Sequence, residues 1–128
     1  HYICLVKKEK VQMKLKLDFS NNLAAQDMIN IIMKKENLSD KEAVEYAINY
    51  DMYGRIVRTG WASIAFDLWG HGDPERNWTK LKNPIIEIEV DSVKEHLITD
   101  IAKKENVDTE MAIGYFLIFV MESLGYHI

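Results

Sequence analysis

The feature of this sequence that most constrains its fold is an internal repeat with an offset of 69 residues. The tetrapeptide Lys-Lys-Glu-Asn occurs at residues 34–37 and again at residues 103–106. Residues of similar character recur at the same offset around it: Ile29 and Ile98, Ile32 and Ile101, Leu38 and Val107, Ala43 and Ala112, Val44 and Ile113, Tyr46 and Tyr115, Ile48 and Leu117, Met52 and Met121. The two halves are therefore predicted to share one local fold.

The second copy, residues 85–126, predicts a short strand and two helices. The strand alternates apolar and acidic residues, in the order Ile86, Glu87, Ile88, Glu89 and Val90. This period of two places the apolar residues on one face. The first helix is predicted from apolar residues at helical spacing: Val93, Leu97, Ile98 and Ile101. Asn106 ends it, and Asp108 or Thr109 can cap the next helix through a side-chain oxygen.

The last predicted helix, Thr109–Leu124, is apolar on nearly every side. A helix of that kind is usually buried on every side. About 40 residues rarely bury such a helix alone, so this unit is predicted to need its partner copy.

The first copy begins with an alternating stretch at residues 11–19, in which Leu15, Leu17 and Phe19 are predicted to face the core. A helix is predicted over residues 22–35, with Ala25, Met28, Ile29, Ile32 and Met33 on its apolar face. Residues 39–42 form a capping-box pattern, Ser-Asp-Lys-Glu, before the following helix.

The order strand, helix, N-cap and helix in residues 15–53 and 86–122 resembles the ribbon-helix-helix DNA-binding family, to which the MetJ and Arc repressors belong. The tandem arrangement is also similar to that in some regulators of archaeal viruses. The resemblance implies an α+β, mainly helical fold in which two ribbon-helix-helix units of one chain form an intrachain pseudodimer. The implied organisation is a basic arm (residues 1–9), a first unit (10–53), a linker (54–84) and a second unit (85–128).

The resemblance also implies which residues contact DNA. Outward strand residues would read bases in the major groove: Gln12, Lys14, Lys16, Glu87 and Glu89. Lysine can donate to guanine, glutamine can pair with adenine, and glutamate can accept from cytosine N4. By the same resemblance, Ser39 at a helix start would contact a phosphate. From their charge and position, the basic residues Lys7, Lys8, Lys10, Arg55 and Arg58 are predicted to contact other phosphates. The alternatives to these DNA contacts are an ordinary amphipathic strand with a solvent-exposed face, a plain helix cap at Ser39 and a solvated basic terminus.

Charge is distributed unevenly along the chain. The net formal charge is −4, yet residues 1–22 carry +3 and residues 85–128 carry −6. The basic first strand favours DNA as a partner, whereas the acidic second strand favours a protein.

The linker, residues 54–84, holds all three tryptophans, Trp61, Trp69 and Trp78. A short helix is predicted at residues 62–69. The linker is too long for a simple connection, so it is predicted to be ordered or functional. Its tryptophans are predicted to cap the shared core in preference to stacking on bases.

No enzyme signature is present, so neither catalytic residues nor a cofactor nor a small-molecule substrate is expected. His71, Asp73 and Glu75 are close in sequence, but a polar loop explains them better than a metal site.

A single cysteine, Cys4, excludes an internal disulfide and indicates a reducing interior. No apolar run approaches the roughly 20 residues that span a bilayer, so no membrane partner is expected. The expected compartment is the cytoplasm, or the host cell interior if the protein is viral.

The function predicted from the sequence is sequence-specific binding of double-stranded DNA by a transcriptional regulator. A two-stranded β-ribbon would enter the major groove, and further homo-oligomerisation on DNA is possible. The alternative is a ribbon-helix-helix protein-interaction module, antitoxin-like or inhibitory, that uses the acidic second unit.

Overall fold

The computed structural model describes residues 12–51, 54–58, 60–70 and 77–126. In these residues the chain is mainly helical with one two-stranded antiparallel sheet, and it belongs to the α+β class. The elements in chain order are β1 (Gln12–Asp18), α1 (Leu23–Glu36), α2 (Asp40–Tyr50), α3 (Arg55–Arg58), α4 (Trp61–Leu68), β2 (Ile85–Asp91), α5 (Ser92–Glu105) and α6 (Thr109–Leu124).

The sheet pairs one strand from each half of the chain, and this antiparallel pair is called the ribbon below. Leu15 lies opposite Ile88 at its centre. Leu17, Ile86 and Ile88 are buried and Leu15 is half-buried, as the alternation predicts. One face of the ribbon therefore belongs to the core, and the helices that follow each strand pack beneath it.

The repeated Lys-Lys-Glu-Asn ends a helix in both halves. Asn37 and Asn106 adopt left-handed backbone conformations, with φ values of 56° and 55°. Asparagine tolerates this region better than most residues, which suits it to end a helix. Leu38 N donates to Met33 O and Val107 N donates to Ala102 O, both at 3.0 Å. The 69-residue offset is thus preserved in the hydrogen bonds that close both helices.

The helix starts also follow the sequence pattern. Ser39 and Glu42 form the predicted capping box, with each side chain accepting from the other residue's backbone N–H. Asp108 caps α6 by accepting from Met111 N at 2.8 Å. These side chains satisfy backbone donors that have no partner inside the helix.

The core is organised around α6, which contacts β1 and each of the other helices. Its residues from Ala112 to Ile118 are all buried, together with Val120 and Met121. Met111 and Phe119 are half-buried, so the prediction of a helix buried on nearly every side is confirmed.

The linker is not a simple connection, because α3 and α4 pack on α6. Phe66 of α4 lies directly against Gly114, where a Cβ atom would be 2.9 Å from Phe66 Cε1. Glycine therefore lets the two helices approach closely at this point. Trp69 and Trp78 are half-buried against the core, whereas Trp61 is 38% exposed.

Two buried polar residues of α1 hold the end of the linker. Gln26 Nε2 donates to Phe19 O at 2.8 Å, and Gln26 Oε1 accepts from Leu81 N at 2.9 Å. Asp27 Oδ1 accepts from Thr79 N at 3.3 Å. The segment before β2 is thereby joined to the first half of the chain. None of the helices in the described ranges combines the length and hydropathy that crossing a membrane requires.

One prediction about α5 was wrong. Val93 was placed on its apolar face, but it is 71% exposed, while the adjacent Lys94 is only 6% exposed. Lys94 Nζ donates to Ile48 O and Asp51 O, both at 3.1 Å, at the carboxyl end of α2. An ammonium group suits the last carbonyls of a helix, which explains why a lysine and not a valine is turned inward. Burial lowers the pKa of Lys94, against the opposing influence of Asp51 and Asp91.

The two halves share one core, so buried residues of either strand are expected to stabilise the whole chain. Leu17→Ala or Ile88→Ala should lower the free energy of unfolding by roughly 2–5 kcal/mol, because each leaves a cavity. Ile85→Ala on the same sheet, where Ile85 is 45% exposed, is the matched control and should change it by less than about 0.5 kcal/mol. Urea denaturation followed by circular dichroism measures all three. Residues 54–128 expressed alone should be unfolded or self-associated, and a stable, monomeric, folded fragment would contradict the shared core.

Lys94→Met should lower the free energy of unfolding by roughly 1.5–3 kcal/mol, because two helix-end carbonyls lose a charged donor. The difference between wild type and variant should also depend on pH. The unfolded chain holds the Lys94 proton up to the ordinary lysine pKa of 10.5, whereas the folded protein releases it at lower pH. Between these two pKa values the unfolded state binds more protons, so wild type gains stability relative to Lys94→Met as pH rises.

Urea titrations of both proteins from neutral pH to about pH 10.5 measure that difference. Tyr126 also makes stability depend on pH in the alkaline range, because its hydrogen bond to Glu36 raises its pKa to about 12 in the folded protein. It is present in both proteins, so its contribution cancels. A difference that shrinks with rising pH would show that the pKa of Lys94 is not lowered by folding.

Candidate nucleic-acid interface

The outer face of the ribbon brings together the residues predicted to read bases. It is defined by the side chains that point away from the core: Gln12, Lys14, Lys16 and Asp18 on β1, and Ile85, Glu87, Glu89 and Asp91 on β2. Asp91 is half-buried and the others are exposed. The five predicted base-contact residues, Gln12, Lys14, Lys16, Glu87 and Glu89, therefore share one accessible surface.

The register places opposite charges directly across from each other. Lys14 lies opposite Glu89, and Lys16 lies opposite Glu87. Such neighbours on one face of an antiparallel pair have Cβ atoms about 5 Å apart. Within the part of the chain that the structure describes, however, these side chains form no ion pair shorter than 4 Å. The nearby carboxylates therefore reduce the positive potential of the two lysine ammonium groups without forming ion pairs with them.

A glutamate from a helix accepts one hydrogen bond from each outer edge of the ribbon, a feature that the sequence did not reveal. Glu45 of α2 accepts from Glu89 N at 2.9 Å. Glu110 of α6 accepts from Asp18 N at 2.8 Å. Unpaired strand edges invite association with other strands, and these carboxylates occupy one N–H group on each edge. They also add negative charge beside the outer face.

The amino end of α2, where Ser39 was predicted to contact a phosphate, is occupied by the chain's own side chains. Glu42 accepts from Ser39 N at 3.0 Å, and Asp40 accepts from Lys41 N at 2.6 Å. The hydrogen bond from the Ser39 backbone lowers the pKa of Glu42, so its carboxylate is charged at neutral pH. A phosphate would have to displace these carboxylates to reach the free amides that make helix starts attractive to anions.

The remaining phosphate contacts were predicted at five basic residues. Arg55 at the start of α3 is exposed. Lys7, Lys8 and Lys10 lie outside the described residues, and so does the side chain of Arg58. Their predicted roles stay predictions.

The residues considered for a metal, His71, Asp73 and Glu75, also lie outside the described part of the chain. Within that part, no group of three histidine, cysteine, aspartate or glutamate side chains is arranged to hold a metal ion.

The chain was compared with models of known protein families, with curated proteins and with solved structures, and none of these comparisons found a match.

Proposed function

We propose that this chain is a tandem ribbon-helix-helix protein that binds double-stranded DNA and regulates transcription. The observation that carries the proposal is the pairing of β1 with β2. Each strand is followed by two helices, and the strands from the two halves pair antiparallel about Leu15 and Ile88. A dimer of single ribbon-helix-helix units would also pair its two strands antiparallel, and this likeness supports the proposal.

The dimensions of the ribbon suit the major groove. Two paired strands lie about 4.8 Å apart, and the groove of B-DNA is about 12 Å wide and admits such a ribbon. The outer face carries long polar side chains, Gln12, Lys14, Lys16, Glu87 and Glu89, all exposed. Donors and acceptors on this face match the groups that base edges present there.

The charge of the outer face bears on affinity. Two lysines share it with four carboxylates, so its net charge is negative. Attraction to phosphate dominates non-specific binding. A ribbon of this composition should bind random DNA weakly and depend on base contacts, together with basic residues outside the ribbon, for its specific complex.

A second candidate function is binding of a protein. The acidic face of the ribbon and the carboxylates at the start of α2 favour it, because a basic protein surface would complement both. The partner would then be a cationic segment, and DNA affinity would be negligible at physiological salt. Binding of DNA from upstream of the protein's own coding sequence, measured over a salt series, discriminates the two candidates.

Lys14→Ala/Lys16→Ala should lower DNA affinity by roughly 1–3 kcal/mol for each base that the substituted side chain no longer reads. The salt dependence should also flatten by about one unit for each phosphate that is no longer neutralised. Lys34→Ala/Lys103→Ala is the matched control. These two lysines are exposed and occupy corresponding helix ends, and their substitution removes the same charge. Fluorescence anisotropy measures both variants, and an equal decrease in affinity for both would show that the ribbon has no special role.

Glu87→Gln/Glu89→Gln should make binding to non-specific DNA tighter and its salt dependence steeper. The physical reason is that two carboxylates next to Lys14 and Lys16 no longer oppose phosphate attraction. Stability should change by less than about 1 kcal/mol, because exposed charge pairs contribute little. Unchanged DNA affinity would place β2 away from DNA, and loss of specific binding with the fold intact would indicate that these glutamates read bases directly.

A further inference from the structure

The two strands of the ribbon carry opposite charges on its outer face. Lys14 and Lys16 lie on β1, whereas Glu87 and Glu89 lie on β2. Both lysines therefore follow one side of the ribbon, and both glutamates follow the other side. All of these side chains are exposed, and among the described residues none of them pairs with an opposite charge within 4 Å. Their charged ends are thus available to a ligand.

The backbone of the ribbon is symmetric, but its outer face is not. An approximate two-fold axis passes between Leu15 and Ile88, because these two residues are partners at the centre of an antiparallel pair. The register means that this axis exchanges position 14 with position 87, and position 16 with position 89. Each of these exchanges replaces a lysine with a glutamate, so the hydrogen-bonding character of the face is reversed.

The symmetry of a DNA-binding protein determines the symmetry of its site. A two-fold protein binds a palindrome, because its two halves present the same side chains to the two half-sites. On this ribbon, a donor in one half corresponds to an acceptor in the other half. A palindromic site would therefore satisfy only one half of the outer face.

The orientation of the ribbon in the groove follows from its length. Each strand has seven residues, which corresponds to about 24 Å, whereas the major groove is about 12 Å wide. In a complex with DNA the strands would therefore run along the groove, with β1 nearer one DNA strand and β2 nearer the other. Each opposed lysine and glutamate would then lie across the groove over one base pair.

A G·C pair suits such a pair of side chains when guanine faces β1 and cytosine faces β2. Guanine presents the acceptors N7 and O6 to the lysine, and cytosine presents its N4 donor to the glutamate. The reversed pair places the ammonium beside a donor and the carboxylate beside two acceptors. An A·T pair places thymine O4 beside the carboxylate, and a T·A pair places the thymine methyl group beside the lysine and adenine N7 beside the carboxylate.

The spacing along the ribbon determines the distance between the two base pairs. Lys14 and Lys16 are two residues apart on one strand, which corresponds to about 6.8 Å. Successive nucleotides of a DNA strand are about 3.4 Å apart along the helix axis, so the two contacted base pairs are separated by one other. Leu15 and Ile88 lie at the level of that central pair and point toward the core.

We propose that each opposed lysine and glutamate of the ribbon read one G·C base pair together, with both guanines on the DNA strand nearer β1. The site is then non-palindromic, with G-x-G on one strand and C-x-C on the other. The inference rests on the proposed function and specifies the class of DNA sequence that the ribbon recognises.

Selection of bound sequences from a randomised double-stranded DNA library, using the full chain, tests the inference. The selected site should contain two guanines on one strand, separated by one base pair. Reversing either G·C pair should weaken binding roughly 10-fold to 100-fold in fluorescence anisotropy, because both charged groups then meet groups of their own kind. Enrichment of no sequence would contradict the proposed function, whereas enrichment of a palindrome, or of a site without the two guanines, would overturn this inference alone.

Exchange of one opposed pair, in Lys16→Glu/Glu87→Lys, gives a sharper test. The variant keeps the net charge of the chain and has one lysine and one glutamate on each strand, at positions that the two-fold axis exchanges. It should therefore select a site in which one of the two G·C pairs is reversed, which is a palindrome about the central base pair. Both residues are exposed, so the variant should remain folded, which circular dichroism checks.

Lys103→Glu/Glu122→Lys is the matched control. It exchanges one exposed lysine of α5 for one exposed glutamate of α6, away from the ribbon, and it should select the wild-type site. Selection of the wild-type site by a folded Lys16→Glu/Glu87→Lys variant would show that this pair of side chains does not read a base pair.

Discussion

The burial of α6 on nearly all sides is the constraint on which the rest of the structure depends. One half of the chain cannot supply enough apolar surface to cover this helix, so α1, α2 and the linker must all contribute. The close approach of the linker to α6 occurs at Gly114, where the lack of a side chain lets Phe66 of α4 reach the backbone of α6. The linker is therefore part of the fold, and its helices exist because α6 needs cover on that side.

The pairing of the two strands follows from the same constraint and determines the character of the outer face. Leu17, Ile86 and Ile88 must point inward, and the strict alternation of a strand then turns Lys14, Lys16, Glu87 and Glu89 outward. A slip of one residue would expose the apolar set, so the register is strongly specified. Opposition of lysine to glutamate is a consequence of that register.

Much of this architecture could be predicted from the sequence because it rests on local chemistry. Alternation indicated both strands, the repeated asparagine marked two helix ends, and capping residues marked the starts of α2 and α6. The sequence did not indicate what depends on distant partners. Lys94 is buried because helix-end carbonyls of α2 meet it, and Gln26 is buried because it joins the linker. Glu45 and Glu110 reach ribbon edges that no local pattern identifies.

The distinction between local patterns and distant contacts also applies to function, because the charge around the ribbon depends on residues that are far apart in the sequence. Pairing of β1 with β2 builds a ribbon of suitable width for DNA, yet carboxylates from β2, α2 and α6 surround its two lysines. Phosphate attraction scales with the cations that a surface presents. In the proposed complex with DNA, the ribbon would therefore contribute little non-specific affinity, and specificity would depend on hydrogen bonds to bases.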